Sequence, residues 1–572
     1  MPRGFGANRG RRQKGQRVSN GQRPRLGGYG ITGSATDSDY AGENMMAQGE
    51  EIVAFETPVA ALTVVATHSP DKNAFVFPEG ALSFGDWNDR STALARALLD
   101  LGFKRGDNIA ILAQNSIYWP IVQLAVAKAG MVLVPLNTYY KLEDLAYALE
   151  NSRARAIFFT PAFRTNKYLD LIREASKQSE DLRSRVVIGG RAEECLALDD
   201  LIAEGAASST VLPTIEGEDD AAIIYTSGTT GFPKGAILRH QAVMADGRAV
   251  FSRLKIGSED LITSIVPMFH SASFCVAIPG CLAAGATFLG LEAFDALEMF
   301  DVIEGHRATV HVAVPTSLRM MLEHPRRSEF DLSSLRVGTC GGADVEPELL
   351  RRCAAEFPIP GLVQAYGLTE SAGLISCPEP GDPDRFETAG QPLPEYNIRI
   401  VDPESGAILG SDAIGEVQIN SPSNMRGYFA NDRETQKTID ADGWLKTGDL
   451  GQLRRDGKLV LSGGRLKDMI IRGGENIYPA EVERILLSYP TVSEVAVFGI
   501  KDDYFGEIVA AAIRGGNVTA GELSDHCARR IAKYKIPAKY FRIEAFPLTP
   551  SGKIRKVALR EMVADGKLDD VA

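Results

Sequence analysis

The run Tyr225-Thr226-Ser227-Gly228-Thr229-Thr230-Gly231-Phe232-Pro233-Lys234-Gly235 concentrates four aliphatic hydroxyls, three glycines and one lysine behind an apolar strand-like segment, residues 221–224. Residues of these types suit a polyphosphate. Glycines let successive amides converge, hydroxyls donate to phosphate oxygens, and Lys234 supplies positive charge. The spacing differs from the common P-loop, in which Gly-Lys is followed by Ser or Thr. Here Lys234 stands between Pro233 and Gly235.

Five further segments carry chemistry-bearing residues, in this order: Pro267-Met268-Phe269-His270-Ser271; Gly341-Gly342-Ala343; Gln364-Ala365-Tyr366-Gly367-Leu368-Thr369-Glu370; Trp444 to Asp449 with Gly464 to Asp468; and Pro550-Ser551-Gly552-Lys553. Each has a bland reading. Tyr366 suits a half-buried core position, Asp449 a turn, Lys553 a solvated loop, His270 a satisfied core histidine, and Glu370 the start of a helix. The ordered set leaves little room for chance.

These segments need a scaffold larger than one core. A chain of 572 residues, 44% hydrophobic and 24% charged, is expected to form two or more globular domains. The net charge of -12 argues against a dedicated nucleic-acid binder. The seven cysteines (195, 275, 281, 340, 353, 377 and 527) form no CxxC pair, and no HExxH occurs. They read as buried free thiols of a reducing compartment, and the localisation expected is cytoplasmic. The longest apolar stretch, 275–291, is broken by Pro279 and falls short of a membrane span. Peripheral membrane contact and a homodimer stay open.

Residues 1–50 stand apart. No acidic residue occurs before Asp37, while Arg3, Arg9, Arg11, Arg12, Lys14, Arg17, Arg23 and Arg25 do. This stretch reads as a disordered basic tail or translated upstream sequence, with Met45 or Met46 as the start in the second case; a transit peptide is the third reading. Beyond it, helical spacing over 86–101 and 121–130 alternates with short apolar runs at 108–112 and 131–135, and the rhythm returns at 310–314 and 335–340. That alternation predicts an α/β fold with parallel sheets covered on both faces. Residues 390–465 read as a small β-rich subdomain, with strands at 397–401 and 416–420. A compact α+β unit follows: a helix opened by Pro479, a strand at 495–498, and a helix over 521–533.

With these motifs in order, the chain resembles the adenylate-forming superfamily, which includes acyl- and aryl-CoA synthetases, over about residues 55–565. The resemblance implies a large N-terminal domain (51–466) of two α/β subdomains plus the β-rich one, and a mobile C-terminal domain (467–565) hinged near Lys467. It implies two half-reactions: attack of a carboxylate on the α-phosphate of Mg-ATP, then attack of the coenzyme A thiol on the acyl-adenylate. It implies nucleotide contacts at Thr226, Ser227, Gly228, Thr229, Thr230, Gly231, Lys234, Gly341, Gly342, Ala343, Tyr366, Gly367, Thr369, Asp449 and Arg465. Of these, Tyr366 resembles the adenine-stacking aromatic of that family, and Asp449 and Arg465 resemble its ribose contacts. Glu370, a hard oxygen ligand, is expected to hold Mg²⁺ with Thr226 nearby. Lys553 resembles the catalytic lysine bridging carboxylate and α-phosphate, and the catalytic set is completed by Glu370 and His270. Arg472, Gly473, Gly474 and Glu475 would line the tunnel for coenzyme A. Asp344-Val345 departs from the proline that many relatives carry after Gly-Gly-Ala.

The acyl pocket is expected to draw on His270, Ser271, Phe274, Thr316 and Gly341. No acidic residue follows Phe269 to pair with an α-ammonium, and burying that ammonium alone is expensive. The acid is therefore expected to be fatty, aryl or alicyclic. The alternatives are an enzyme loading a carrier protein in trans and a binding protein without turnover.

Overall fold

Residues 108–112 and 132–135 are buried at every position, which requires strands covered on both faces. The computed structural model describes residues 54–163, 166–226, 233–343, 345–357, 359–465, 468–472, 475–502, 504–531, 533–548 and 554–571. Among them, Asn108–Leu112 and Val132–Pro135 sit in an eight-stranded sheet, with Asn108 opposite Val132 in parallel register. Asp220–Thr226 extends this sheet in parallel. Lys234–Arg239 and then Gly427–Tyr428 close it in antiparallel fashion.

A second eight-stranded sheet has Val337–Gly341 and Gly361–Leu368 in parallel, with Gly341 opposite Ala365. Gly373–Ser376 caps that edge antiparallel to 361–368. The expectation of parallel sheets thus holds for the interiors, while antiparallel pairs occur at their ends. The reason is local: the connections of residues 227–233 and 369–372 have too few residues for a parallel crossover, which takes a dozen or more.

The helix expected over 86–101 spans Phe84–Asp100, capped by the Ser83 hydroxyl, and buries Trp87, Leu94 and Leu98. The apolar stretch at 275–291 is core, as expected: a π-helical segment, Ala272–Ala277, runs into the helix Ile278–Ala284 and the strand Thr287–Leu289. No helix among the described residues is long and apolar enough to cross a membrane. Six cysteines are buried, and Cys195 is half-exposed.

The β-rich segment is a four-stranded antiparallel sheet: Asn397–Val401, Gly415–Asn420, Leu445–Leu453 and Leu459–Arg465. In the C-terminal unit, Pro479–Leu487 buries Val482, Ile485 and Leu486 against the hairpin Val492–Asp502 and Gly506–Gly515. The helix expected over 521–533 is shorter, Ala520–Ala528. Its N-terminus carries a reciprocal Thr519–Glu522 capping box. Large and small parts agree with the two-domain α/β architecture expected.

Candidate active site

The chemistry-bearing residues gather where strands of both large sheets end at their carboxyl side, the usual ligand edge of an open α/β sheet. Asp220–Thr226 delivers Thr226 there, and Gly361–Leu368 delivers Tyr366 and then a single 3₁₀ turn, Thr369–Ser371, bearing Glu370. The Thr226 hydroxyl donates to Glu370 Oε1 at 3.2 Å, joining the two sheets. Tyr428 donates to the same oxygen at 2.9 Å, and the Met425 amide holds the Glu370 carbonyl at 2.8 Å. Among the described residues Oε2 accepts no hydrogen bond. One half-buried carboxylate with an oxygen to spare, beside a threonine hydroxyl, fits Mg²⁺, which binds through one or two carboxylates and otherwise through waters and substrate phosphates. No cluster of three or more His, Cys, Asp or Glu side chains suited to a metal occurs among the described residues, so a cage of protein ligands is not what this site offers.

Lys234 lies opposite Thr226 across the antiparallel pair. Its ammonium binds the Glu434 carboxylate and lies 5.3 Å from the centre of the Tyr428 ring. Lys437 also reaches Glu434, at 2.5 Å. Hydrogen bonds from Lys234 and then Lys437 draw the Glu434 carboxyl down to about 2. A phosphate reaching Lys234 therefore competes with an internal carboxylate. Tyr428 and Glu434 were missed in the sequence because neither is near a motif: Glu434 lies 200 positions from Lys234, and its helix Asp432–Thr438 reads as an ordinary Asn-capped surface turn.

Tyr366 is buried, and its hydroxyl donates to Asp449 Oδ2 at 2.9 Å, tying the second large sheet to the β-rich subdomain. Asp449 itself sits on Leu445–Leu453, its amide bound to the Thr447 hydroxyl at 3.0 Å and its backbone in register with Arg465. Tyrosine, aspartate and Arg465 are thus brought to one edge by pairing across different elements. At Gly341 a Cβ would lie 2.4 Å from the Ala365 carbonyl oxygen, so a side chain cannot fit between these strands. Gly342, at φ +78°, and Ala343 are exposed beyond it.

At the segment expected to face the acid, Asn115 Oδ1 accepts the Met268 amide at 2.7 Å and fixes the 267–271 turn. His270 is half-buried, and its Nδ1 accepts the Ala272 amide at 3.2 Å, which leaves the ring proton on Nε2. Ser271 and Thr369 hydroxyls meet at 3.2 Å, so this turn touches the Glu370 segment directly. Phe274 is buried in the main core, its ring edge-on to Trp119 with centroids 6.0 Å apart. Thr316 is exposed on the helix Pro315–Leu322. Arg472 donates to the Tyr534 carbonyl at 2.9 Å and covers the Phe505 ring at 4.5 Å within the C-terminal unit.

Ser227, Gly228, Thr229, Thr230, Gly231, Asp344, Lys467, Gly473, Gly474 and Lys553 lie outside the described residues, as do residues 1–53 and the side chains of Arg465 and Glu475.

The family model for AMP-binding enzymes matches residues 62–429, and that for the AMP-binding enzyme C-terminal domain matches 481–553. The mouse medium-chain acyl-CoA ligase ACSF2, mitochondrial, is 32% identical over 535 residues, 88% of this chain and 86% of that protein. A Mycobacterium tuberculosis fatty acyl CoA synthetase structure is 30% identical with a TM-score of 0.72, covering 89% of this chain and 99% of that one. The anthranilate CoA ligase AuaEII, in complex with anthranoyl-AMP, is 25% identical with a TM-score of 0.81, covering 90% and 98%. With both domain models matched in order around the site just described, the chain belongs to the AMP-binding enzyme family and, within the adenylate-forming superfamily, to the acyl-CoA synthetases.

Proposed function

We propose that this chain is an acid–CoA ligase that activates a fatty, aryl or alicyclic acid with Mg-ATP and passes the acyl group to coenzyme A. A carboxylate is a poor electrophile because it would have to expel oxide. Attack of a carboxylate oxygen on the α-phosphorus breaks the bond to pyrophosphate and makes AMP the leaving group. The thiol sulfur then adds to the acyl carbonyl, loses its proton, and expels AMP. Mg²⁺ would supply charge neutralisation on the phosphates.

The chain's own residues divide that work. Thr226 and Tyr428 hold Glu370 Oε1, which aims the remaining oxygen of that carboxylate. Lys234 places a cation at the phosphate end, and Tyr366 with Asp449 orders the nucleoside end. Lys553 would bridge the carboxylate and the α-phosphate, fixing the line of attack. The convergence of Thr226, Glu370 and Tyr428 from separate elements is the observation that carries this reading. The printed names of the relatives, a medium-chain acyl-CoA ligase and a fatty acyl CoA synthetase, support an acyl acid.

The test is AMP release over a panel of fatty, aryl and alicyclic acids, with and without coenzyme A. Acid-dependent AMP release that requires the thiol is the expected result. Adenylate accumulation indifferent to coenzyme A would instead favour loading of a carrier protein, and no release with any acid would overturn the ligase reading.

A further inference from the structure

Asp246, on the helix His240–Arg253, is fully buried and forms no ion pair among the described residues. Its Oδ2 accepts the Leu374 amide at 3.1 Å, and its Oδ1 lies 3.0 Å from the Tyr396 hydroxyl. Tyr396 in turn contacts the Ser423 hydroxyl, and Ser423 donates to the Ala242 carbonyl at 3.1 Å. That chain has three oxygen–oxygen contacts and ends on a carbonyl, which has no proton to give. Two hydroxyls supply two protons. With the Ser423 proton on Ala242, the single Tyr396 proton can serve Asp246 or Ser423 but not both, so all three contacts are hydrogen bonds only when Asp246 carries a proton. An ionised Asp246 would leave one contact as lone pair against lone pair.

The surroundings agree. Among the described residues, Cys275, Cys377 and Tyr396 are the titratable groups facing Asp246, and all are buried. Arg248, near Tyr396, is turned to Glu395 at 3.4 Å, and Arg253 is spent on the Cys377, Gln391 and Pro392 carbonyls. An unpaired buried carboxylate is costly, and burial drives this carboxyl well above its ordinary range. Space is also committed: a Cβ at Gly373 would lie 2.4 Å from Asp246 Oδ2.

The two segments gripped here are the two that place Glu370. Leu374 lies in the strand that follows the Glu370 turn, opposite Gly367. Ser423 is two residues before Met425, whose amide holds the Glu370 carbonyl, and five before Tyr428, which holds its Oε1. We propose that Asp246, held as an un-ionised carboxylic acid, is a positioning residue that clamps Leu374 and Ser423 together and thereby aims Glu370 at the metal–nucleotide complex. The metal-binding role of Glu370 rests on the function proposed above.

The experiment compares wild type, Asp246→Asn, Asp246→Ala and Tyr396→Phe in the full chain. Asparagine can accept from Leu374 and donate to Tyr396, so it replaces the acid without a titration. The folded carboxyl sits above its unfolded value; its contribution is therefore complete below the unfolded value and erodes as pH rises. As pH rises above about 4, the unfolding midpoint of Asp246→Asn should climb relative to wild type. The infrared carbonyl band of a protonated carboxyl should vanish in the same variant. Calorimetric affinity for ATP with Mg²⁺ should fall about tenfold in Tyr396→Phe and in Asp246→Ala, and stay at the wild-type value in Asp246→Asn. Wild type gaining on Asp246→Asn as pH rises would overturn the un-ionised acid. Unchanged ATP affinity in Tyr396→Phe would overturn the positioning role, even if Asp246→Ala fails to fold. None of these readouts needs turnover, so a wild type that releases no AMP would sink the ligase reading and leave this one decidable.

Discussion

The proposed nucleotide side and the proposed acyl side of the site are built on opposite plans. On the proposed nucleotide side, buried and half-buried charged and hydroxyl groups reach each other from separate strands, turns and helices: Thr226 and Tyr428 on Glu370, Lys234 on Glu434, Tyr366 on Asp449. On the acyl side, the 267–277 segment carries no acidic or cationic side chain apart from His270, and Phe274 through Ala277 are buried in a π-helical turn. The nucleotide is the same for every acid, so its contacts can be fixed by residue type. The acid differs between enzymes, and its space is set by packing, where a shift of one methylene is felt. The difference teaches that the first side is recognisable from its residues and the second only from what surrounds them.

Four changes would break or sharpen that contrast. The largest effect is expected from Phe274→Ala, which should cost about 3–5 kcal/mol of stability through the cavity left beside Trp119. A thermal or denaturant midpoint checks this; unaltered stability with a changed acid preference would move Phe274 from core to pocket wall. Next, Lys553→Ala should slow adenylation by about 10²–10³ while sparing thioester formation from supplied acyl-adenylate. Single-turnover assays of the two half-reactions decide it, and equal loss of both would remove Lys553 from its assigned role.

Glu370→Gln should weaken the Mg²⁺ dependence of ATP binding by about 10-fold or more, read as a magnesium titration. An unchanged titration would mean that the metal is held elsewhere. The smallest effect belongs to Glu434→Gln, about 1–2 kcal/mol for losing a charge-assisted hydrogen bond. Because Lys234 depresses the Glu434 carboxyl, its contribution is present above the ordinary glutamate range and is lost as pH falls toward about 2. The stability gap between wild type and Glu434→Gln should therefore close on acidification, and a gap that widens would contradict the pairing.

Particular residues mark where sequence stopped being legible. Strand 108–112 was read at its correct bounds because an unbroken apolar run has few other uses. Gly341, Tyr366, Glu370 and Asp449 were legible as an ordered set of motifs, and the first, second and fourth meet partners across registers that local pattern does not encode. Tyr428, Glu434 and Asp246 carried no signal. Each looks ordinary in its own helix or strand, and each matters through a partner 58, 200 or 128 positions away.

By itself the sequence determined the α/β class, the order of the motifs, the lysine and hydroxyls of residues 225–235, and the lack of an acidic residue in 267–277, because these depend on residue type and short spacing. Only the tertiary structure decided that Thr226, Tyr428 and Glu370 converge, that Lys234 is already held by Glu434, and that Asp246 is buried in a chain of hydroxyls with no cation paired to it among the described residues. Those outcomes depend on which groups burial brings together and on how many protons they share, and neither is a property of any one stretch of chain.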